Sequence, residues 1–137
     1  MSEKFWKRMW AAAVWHNVIG FVVLVIGRNW IYTSAGQPAP APILSLHYDT
    51  WIGLVGVFGV LYYKVYRNMY NSRDLVIVGI LGKLTSATPQ LVYLILYTDQ
   101  YPRMLIGPII TDYIFAFLYW RFLKFLDQRS TGRTMQA

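Results

Sequence analysis

The sequence predicts an all-α polytopic membrane protein, a bundle of four transmembrane helices that run antiparallel to one another. Its 137 residues are 56% hydrophobic and only 14% charged, whereas an ordinary soluble domain carries about 25% charged residues. Four long apolar runs alternate with polar segments, and the basic residues gather in every second segment. Because about 20 apolar residues cross the hydrocarbon core of a bilayer, each run is long enough to span it.

The four apolar runs set the expected helix boundaries. The predicted spans are residues 9–26, 48–66, 75–97 and 104–126, followed by a polar and mobile C-terminal tail of residues 127–137. The first run follows a short basic segment, as in a signal peptide, but it exceeds the roughly 7–15 apolar residues usual there. We therefore expect it to be retained as the first helix.

The long connection between the first two spans contains Pro38, Pro40 and Pro42, which alternate with alanines. Proline lacks a backbone N–H and disrupts a helix interior. The sequence therefore predicts an extended connection here, whereas the other two connections are short turns.

The distribution of lysine and arginine predicts the orientation. The N-terminus, the turn between the second and third spans, and the C-terminal end hold ten of them: Lys4, Lys7, Arg8, Lys64, Arg67, Arg73, Arg121, Lys124, Arg129 and Arg133. The two connections on the opposite side hold only Arg28 and Arg103. Because basic segments stay in the cytoplasm, this bias predicts that both termini are cytoplasmic. We expect a multi-pass protein of the bacterial cytoplasmic (inner) membrane.

The net charge of +7 then lies on the cytoplasmic rim. Such a rim attracts anionic lipid headgroups, so the bilayer and its anionic lipids are predicted partners. Nucleic acid is not a predicted partner, because the sequence lacks a basic folded surface with elements for base readout.

One lysine, Lys83, lies near the middle of the third predicted span. A lysine in hydrocarbon costs at least ~2.5 kcal/mol, so its side chain should face protein or water and have a partner. Asp112, in the last span, is the acid placed to pair with it. Lys83, Asp112 and His16 lie at similar depths, about 10–14 Å from the cytoplasmic helix ends at helical rise.

Helical spacing extends this polar centre. The predicted members are Lys83, Asp112, His16, Asn17, Ser86, Gln90 and Tyr119. On the first helix, the predicted inward face consists of Ala12, Ala13, His16 and Gly20. Two interpretations stay open. In one, the centre is a buried ion pair that fixes helix register; in the other, it is a ligand pocket or a proton-handling site.

The second span carries a stripe of glycines, Gly53, Gly56 and Gly59. Small residues allow close helix contact in membranes, so this stripe is predicted to pack inward. The bulky residues of the opposite side are then predicted to face lipid or a partner protein: Trp51, Val55, Phe58 and Tyr62.

Several chemistries find no support in the sequence. The chain has no cysteine, which removes thiol chemistry and thiolate metal sites. No metal-ligand motif or phosphate-binding loop is present, so no metal, cofactor or catalytic residue is predicted. His16 and His47 are separated by about 15 Å along the helix axes, which disfavours a haem held by both within one chain.

The segments Arg67-Asn68, Gly79-Ile80-Leu81-Gly82-Lys83-Leu84 and Asp112 followed by Ile114-Phe115-Ala116 carry a resemblance. Together with Arg73 and Leu75-Val76, they resemble small bacterial four-helix membrane proteins of DoxX-like families. The resemblance implies a four-helix bundle and implies no activity. The chain differs from small multidrug exporters, which place a glutamate in the first helix, where this sequence has His16 and no acid.

Three functions are compatible with these features. The favoured one is a non-enzymatic accessory or structural subunit of a membrane complex or a homo-oligomer, since the aromatic side of the second span offers a partner surface. The alternatives are a small-molecule or proton-coupled transporter and a membrane isomerase with a pocket inside the bundle.

Overall fold

The computed structural model describes residues 1–34, 42–97 and 106–134, and the regular elements in these ranges are all helical. The elements are α1 (Glu3–Ile26), α2 (Arg28–Ser34), α3 (Pro42–Arg67), a short 3₁₀ helix (Met69–Asn71), α4 (Arg73–Leu96) and α5 (Ile106–Thr134). The prediction of an all-α protein is confirmed.

Both terminal helices extend beyond their predicted limits. α1 begins at Glu3 rather than at residue 9, because the Ser2 hydroxyl accepts a hydrogen bond from the Phe5 backbone N–H at 3.2 Å and caps the helix. α5 continues to Thr134 through part of the predicted tail. Asp127 lies on this extension, and its carboxylate is 3.3 Å from the Arg73 guanidinium of α4.

The connection after α1 also differs from the prediction. It contains α2, a helix of seven residues that the sequence pattern did not indicate. Pro42 opens α3 rather than belonging to an extended segment, since the missing N–H of proline costs nothing at the first position of a helix. Pro38 and Pro40 lie outside the described residues.

α1 and α3 pack against each other in opposite directions. At one end, the Lys7 ammonium lies 5.8 Å from the centre of the Tyr66 ring. Toward the other end, the Tyr48 hydroxyl donates to the Leu24 carbonyl at 3.3 Å. α4 and α5 form a second antiparallel pair, joined by Arg73 to Asp127 at one end and by the Thr88 and Tyr113 hydroxyls, 3.1 Å apart, toward the other.

The two pairs meet in a group of buried aromatic side chains, the aromatic core: Trp6, Trp10, Tyr62, Tyr119 and Phe122. Trp10 of α1 stacks on Tyr119 of α5 with the ring centres 4.4 Å apart. The prediction that Tyr62 faces lipid or a partner is wrong, because Tyr62 is fully buried. A Cβ at Gly79 of α4 would lie 2.9 Å from the Tyr62 ring, so the absence of that Cβ makes room for it.

The glycine stripe of α3 is only partly used for packing. A Cβ at Gly56 would lie 3.2 Å from the Phe21 ring of α1, and one at Gly59 would lie 3.7 Å from Asn17. At Gly53, by contrast, no described atom lies within 4 Å of that position, so Gly53 is not a packing residue among the described parts of the chain.

α1 and α4 are long and apolar enough to cross a membrane, judged by length and composition. Many large apolar side chains point away from the core, among them Trp15 at 63%, Ile95 at 67% and Ile26 at 80% exposure. Exposed apolar surface on this scale is typical of a protein surrounded by lipid or covered by a partner.

Candidate functional site: a buried lysine–aspartate centre

The Lys83 side chain of α4 points into the bundle, and the residue is only 6% exposed. Its ammonium nitrogen lies 2.6 Å from the Asp112 carboxylate of α5, whose side chain is 13% exposed. The structure therefore brings together the two charges that the sequence places in separate apolar runs. The distance is that of a charge-assisted hydrogen bond, which is stronger than a neutral one.

Asn17 of α1 extends this pair to the other half of the bundle. Its side-chain oxygen accepts from the Lys83 ammonium at 3.2 Å, and its side-chain nitrogen donates to the Val55 carbonyl of α3 at 3.1 Å. Asn17 is 4% exposed. The chain of contacts from Val55 through Asn17 and Lys83 to Asp112 thus joins all four long helices.

Two aromatic rings also lie close to the ammonium. The Lys83 nitrogen lies 5.8 Å from the centre of the Tyr62 ring and 5.7 Å from that of the Phe115 ring. A cation within about 6 Å of a ring centre is attracted to the electron-rich face. The ammonium therefore has four favourable neighbours, which are Asp112, Asn17 and the two rings.

His16 lies at the edge of the centre. Its Nε2 is 3.7 Å from the Asp112 carboxylate, too far for a hydrogen bond, and its side chain is 34% exposed. Its ring centre is 5.3 Å from that of Phe115. His16 is therefore the most exposed of the three ionisable side chains in this centre.

In the described parts of the chain, the Lys83 ammonium donates hydrogen bonds to Asp112 and Asn17. The contacts found for Ser86, Gln90 and Tyr119 are with other residues. Ser86 and Gln90 bond to each other: the Gln90 side-chain nitrogen donates to the Ser86 carbonyl at 3.0 Å and to its hydroxyl at 3.3 Å. Tyr119 belongs to the aromatic core, where its ring stacks on Trp10.

The predicted inward face of α1 was wrong in part, and the prediction missed the buried aromatic residues Trp6 and Trp10. Ala12 is exposed, whereas the buried residues of α1 are Trp6, Met9, Trp10, Ala13 and Asn17. Trp6, Trp10, Ala13 and Asn17 recur at the spacing of one helix face, and this signal was available in the sequence. The roles of Tyr62 and the Val55 carbonyl had no comparable sequence signal.

The arrangement of Lys83 and Asp112 is compatible with a structural role. No group of three or more histidine, aspartate or glutamate residues that could hold a metal ion occurs among the described residues. The two charges are occupied by each other, and breaking a buried pair by removing one partner costs about 3–5 kcal/mol. The centre can therefore fix the register of the helices with respect to one another.

Comparisons with protein-family models, with curated proteins and with solved structures give no match. The resemblance to DoxX-like families accordingly stays a prediction.

The replacement of one member of the pair should destabilise the bundle far more than the replacement of both. We expect Lys83→Met and Asp112→Asn each to lower the free energy of unfolding by about 3–5 kcal/mol, because each leaves its partner buried and unpaired. The double variant should lose much less than the sum of the two. Unfolding by a denaturing detergent, followed by circular dichroism, measures all four proteins.

Thr88→Val and Tyr113→Phe, alone and together, form the matched control, because these two residues join the same helices through an exposed contact. That cycle should show little coupling. Additive losses for Lys83 and Asp112 would contradict a structural pair.

Proposed function

We propose that this chain is a multi-pass protein of the bacterial cytoplasmic membrane that acts as a non-enzymatic structural or accessory subunit. The observation that carries the proposal is the occupied state of Lys83, whose ammonium is taken up by Asp112, Asn17 and two aromatic rings. A cation held in this way favours one arrangement of the helices.

The pairing of the helices supports the proposal of four membrane crossings. α1 and α4 have the length and apolarity of membrane spans. α3 lies along α1 and α5 lies along α4, in each case antiparallel and with contacts near both ends. If α1 and α4 cross the bilayer, their partners cross the same layer.

The charges at the two ends of the bundle support an orientation with both termini in the cytoplasm. Glu3 of α1 contacts Arg129 of α5 at 3.5 Å, and Arg129 also contacts Tyr70 at 2.7 Å, beside the start of α4. These contacts gather the basic segments at one end. At the opposite end, Arg28 is neutralised by Asp49 at 3.1 Å. Basic residues favour the cytoplasmic side.

The outward side of α3 supports a role within an assembly. Leu54, Val57 and Val60 are 52%, 62% and 59% exposed and form an uncharged stripe along the middle of the helix. In a bilayer, such a stripe can pack against lipid or against a second membrane protein, and small residues such as Gly53 beside it permit close approach.

A proton-coupled transporter is the second candidate, and His16 favours it. Its ring is partly exposed and lies 3.7 Å from the buried carboxylate. An imidazole ring has one nitrogen that can donate a proton and one that can accept, so it is suited to pass protons toward an acid.

Single-cysteine reporters test the orientation, because the natural chain has no cysteine to interfere. Thr33 and Asn71 are exposed at opposite ends of the bundle. We expect a membrane-impermeant maleimide to label Thr33→Cys in intact spheroplasts and to label Asn71→Cys only after lysis. Equal labelling of the two cysteines in intact spheroplasts, or the reverse pattern, would contradict four crossings with cytoplasmic termini.

Native mass spectrometry of protein released from membranes in nanodiscs tests the role as a subunit. We expect assemblies larger than one 16.0 kDa chain, and Lys83→Met/Asp112→Asn should retain them. A monomer in several lipid compositions would contradict the proposal. If that monomer also dissipated a pH gradient in liposomes, and His16→Gln abolished the flux without loss of stability, the transporter would be favoured.

A further inference from the structure

A groove at the basic end of the bundle is separate from the polar centre. It lies between the first turns of α1 and the last turn of α3, has a volume of about 550 Å³, and is lined by Glu3, Lys4, Lys7, Arg8, Ala11 and Tyr66. Sites of roughly 300–1,000 Å³ hold small ligands. The groove is therefore large enough for a lipid headgroup and its first carbons.

The charge balance in the groove favours an anion. Lys4, Lys7 and Arg8 form no ion pair with any acid among the described residues, and the Lys7 ammonium lies instead over the Tyr66 ring at 5.8 Å. Glu3, the acid of the groove, is paired with Arg129 at 3.5 Å. Lys4, Lys7 and Arg8 therefore line a groove whose acid, Glu3, is already paired with a residue outside the groove.

The surface beyond the groove is apolar and continuous with it. Trp15, Val18 and Val22 of α1 lie on the same helix face as Arg8 and Ala11, and they are 63%, 40% and 45% exposed. Residues 11–22 cover about 17 Å at 1.5 Å per residue. That length matches one leaflet of a hydrocarbon core about 30 Å thick.

We propose that this groove is a binding site for one anionic phospholipid of the cytoplasmic leaflet. Lys4, Lys7 and Arg8 hold its phosphate, Tyr66 and Ala11 form the apolar floor, and an acyl chain follows the exposed face of α1. The proposal rests on the orientation proposed above, which puts this end of the bundle in the leaflet that carries anionic lipid. It differs from a diffuse attraction of the basic rim because it assigns the lipid to one groove.

The test fills the groove without changing any charge. Native mass spectrometry of the full chain in detergent, titrated with phosphatidylglycerol, measures the affinity for the first bound lipid. We expect Ala11→Trp to weaken that affinity at least about tenfold, because the indole occupies the floor of the groove. Ala12→Trp should leave the affinity within about twofold of that of the natural protein. Ala12 is the adjacent, exposed residue outside the groove and is the matched control.

A charge series gives an independent reading if the tryptophan variant does not fold. Lys7→Gln should weaken binding by about fivefold, corresponding to roughly 1 kcal/mol per basic residue at an anionic surface. Lys64→Gln removes the same charge from the same end of the bundle but outside the groove, and it should have no comparable effect. Equal losses for Lys7→Gln and Lys64→Gln, or no loss for Ala11→Trp, would overturn the proposal.

Binding measurements with phosphatidylcholine and with inorganic phosphate distinguish a site for an anionic lipid from a site for a free anion. Phosphatidylcholine should bind at least about tenfold more weakly than phosphatidylglycerol, since its headgroup carries no net charge. Binding of inorganic phosphate as tightly as phosphatidylglycerol would mean a free-anion site and would overturn the lipid assignment. The cysteine variants at Thr33 and Asn71 measure the orientation independently of lipid binding. If their labelling shows the expected orientation but no lipid binds specifically in the groove, only this inference is overturned.

Discussion

The ammonium group of Lys83 constrains the arrangement of the four long helices. It needs partners wherever it is removed from water, because an uncompensated lysine in hydrocarbon costs at least about 2.5 kcal/mol. Asp112 of α5 and Asn17 of α1 supply them, at 2.6 Å and 3.2 Å. Asn17 in turn reaches the Val55 carbonyl of α3. One buried charge therefore requires contributions from three other helices, and each contribution fixes a register.

We propose that this centre contributes to the specificity of the fold more than to its net stability. A buried ion pair often contributes no more than a well-packed apolar pair would, because both charges lose their hydration. The large penalty falls on arrangements in which Lys83 or Asp112 is unpaired. The adjacent aromatic core supplies the packing, with Trp10 and Tyr119 stacked at 4.4 Å, so the polar and aromatic layers have complementary tasks.

The sequence was informative where a residue was out of place in its surroundings. Lys83 and Asp112 are charged residues in apolar runs, and their similar depths in the membrane predict that they meet. The helix boundaries were harder to predict from the sequence. The Ser2 cap lengthens α1 beyond its apolar part. The charged contacts of Asp127 and Arg129 do the same for α5. α2 has too few residues for hydrophobic periodicity to reveal it.

The error at α3 has a clear physical cause. The sequence pattern predicts a single inward face for α3, with the glycines on it and the bulky residues opposite. α3 instead contacts two neighbours and buries two sides: Gly56 and Gly59 lie against α1, while Phe58 and Tyr62 lie against Gly82 and Gly79 of α4. Which two helices flank a given helix depends on the fold as a whole, and helical periodicity within one segment does not contain that information.

Solid-state nuclear magnetic resonance of the protein in lipid bilayers, with ¹⁵N-labelled lysine and ¹³C-labelled aspartate, tests the central contact most directly. The hydrogen bond of 2.6 Å between the two side chains predicts strong through-space transfer from the Lys83 side-chain nitrogen to the Asp112 carboxylate carbon. It also predicts a lysine ammonium protected from exchange with water. No transfer, together with rapid exchange of the Lys83 ammonium, would contradict the account.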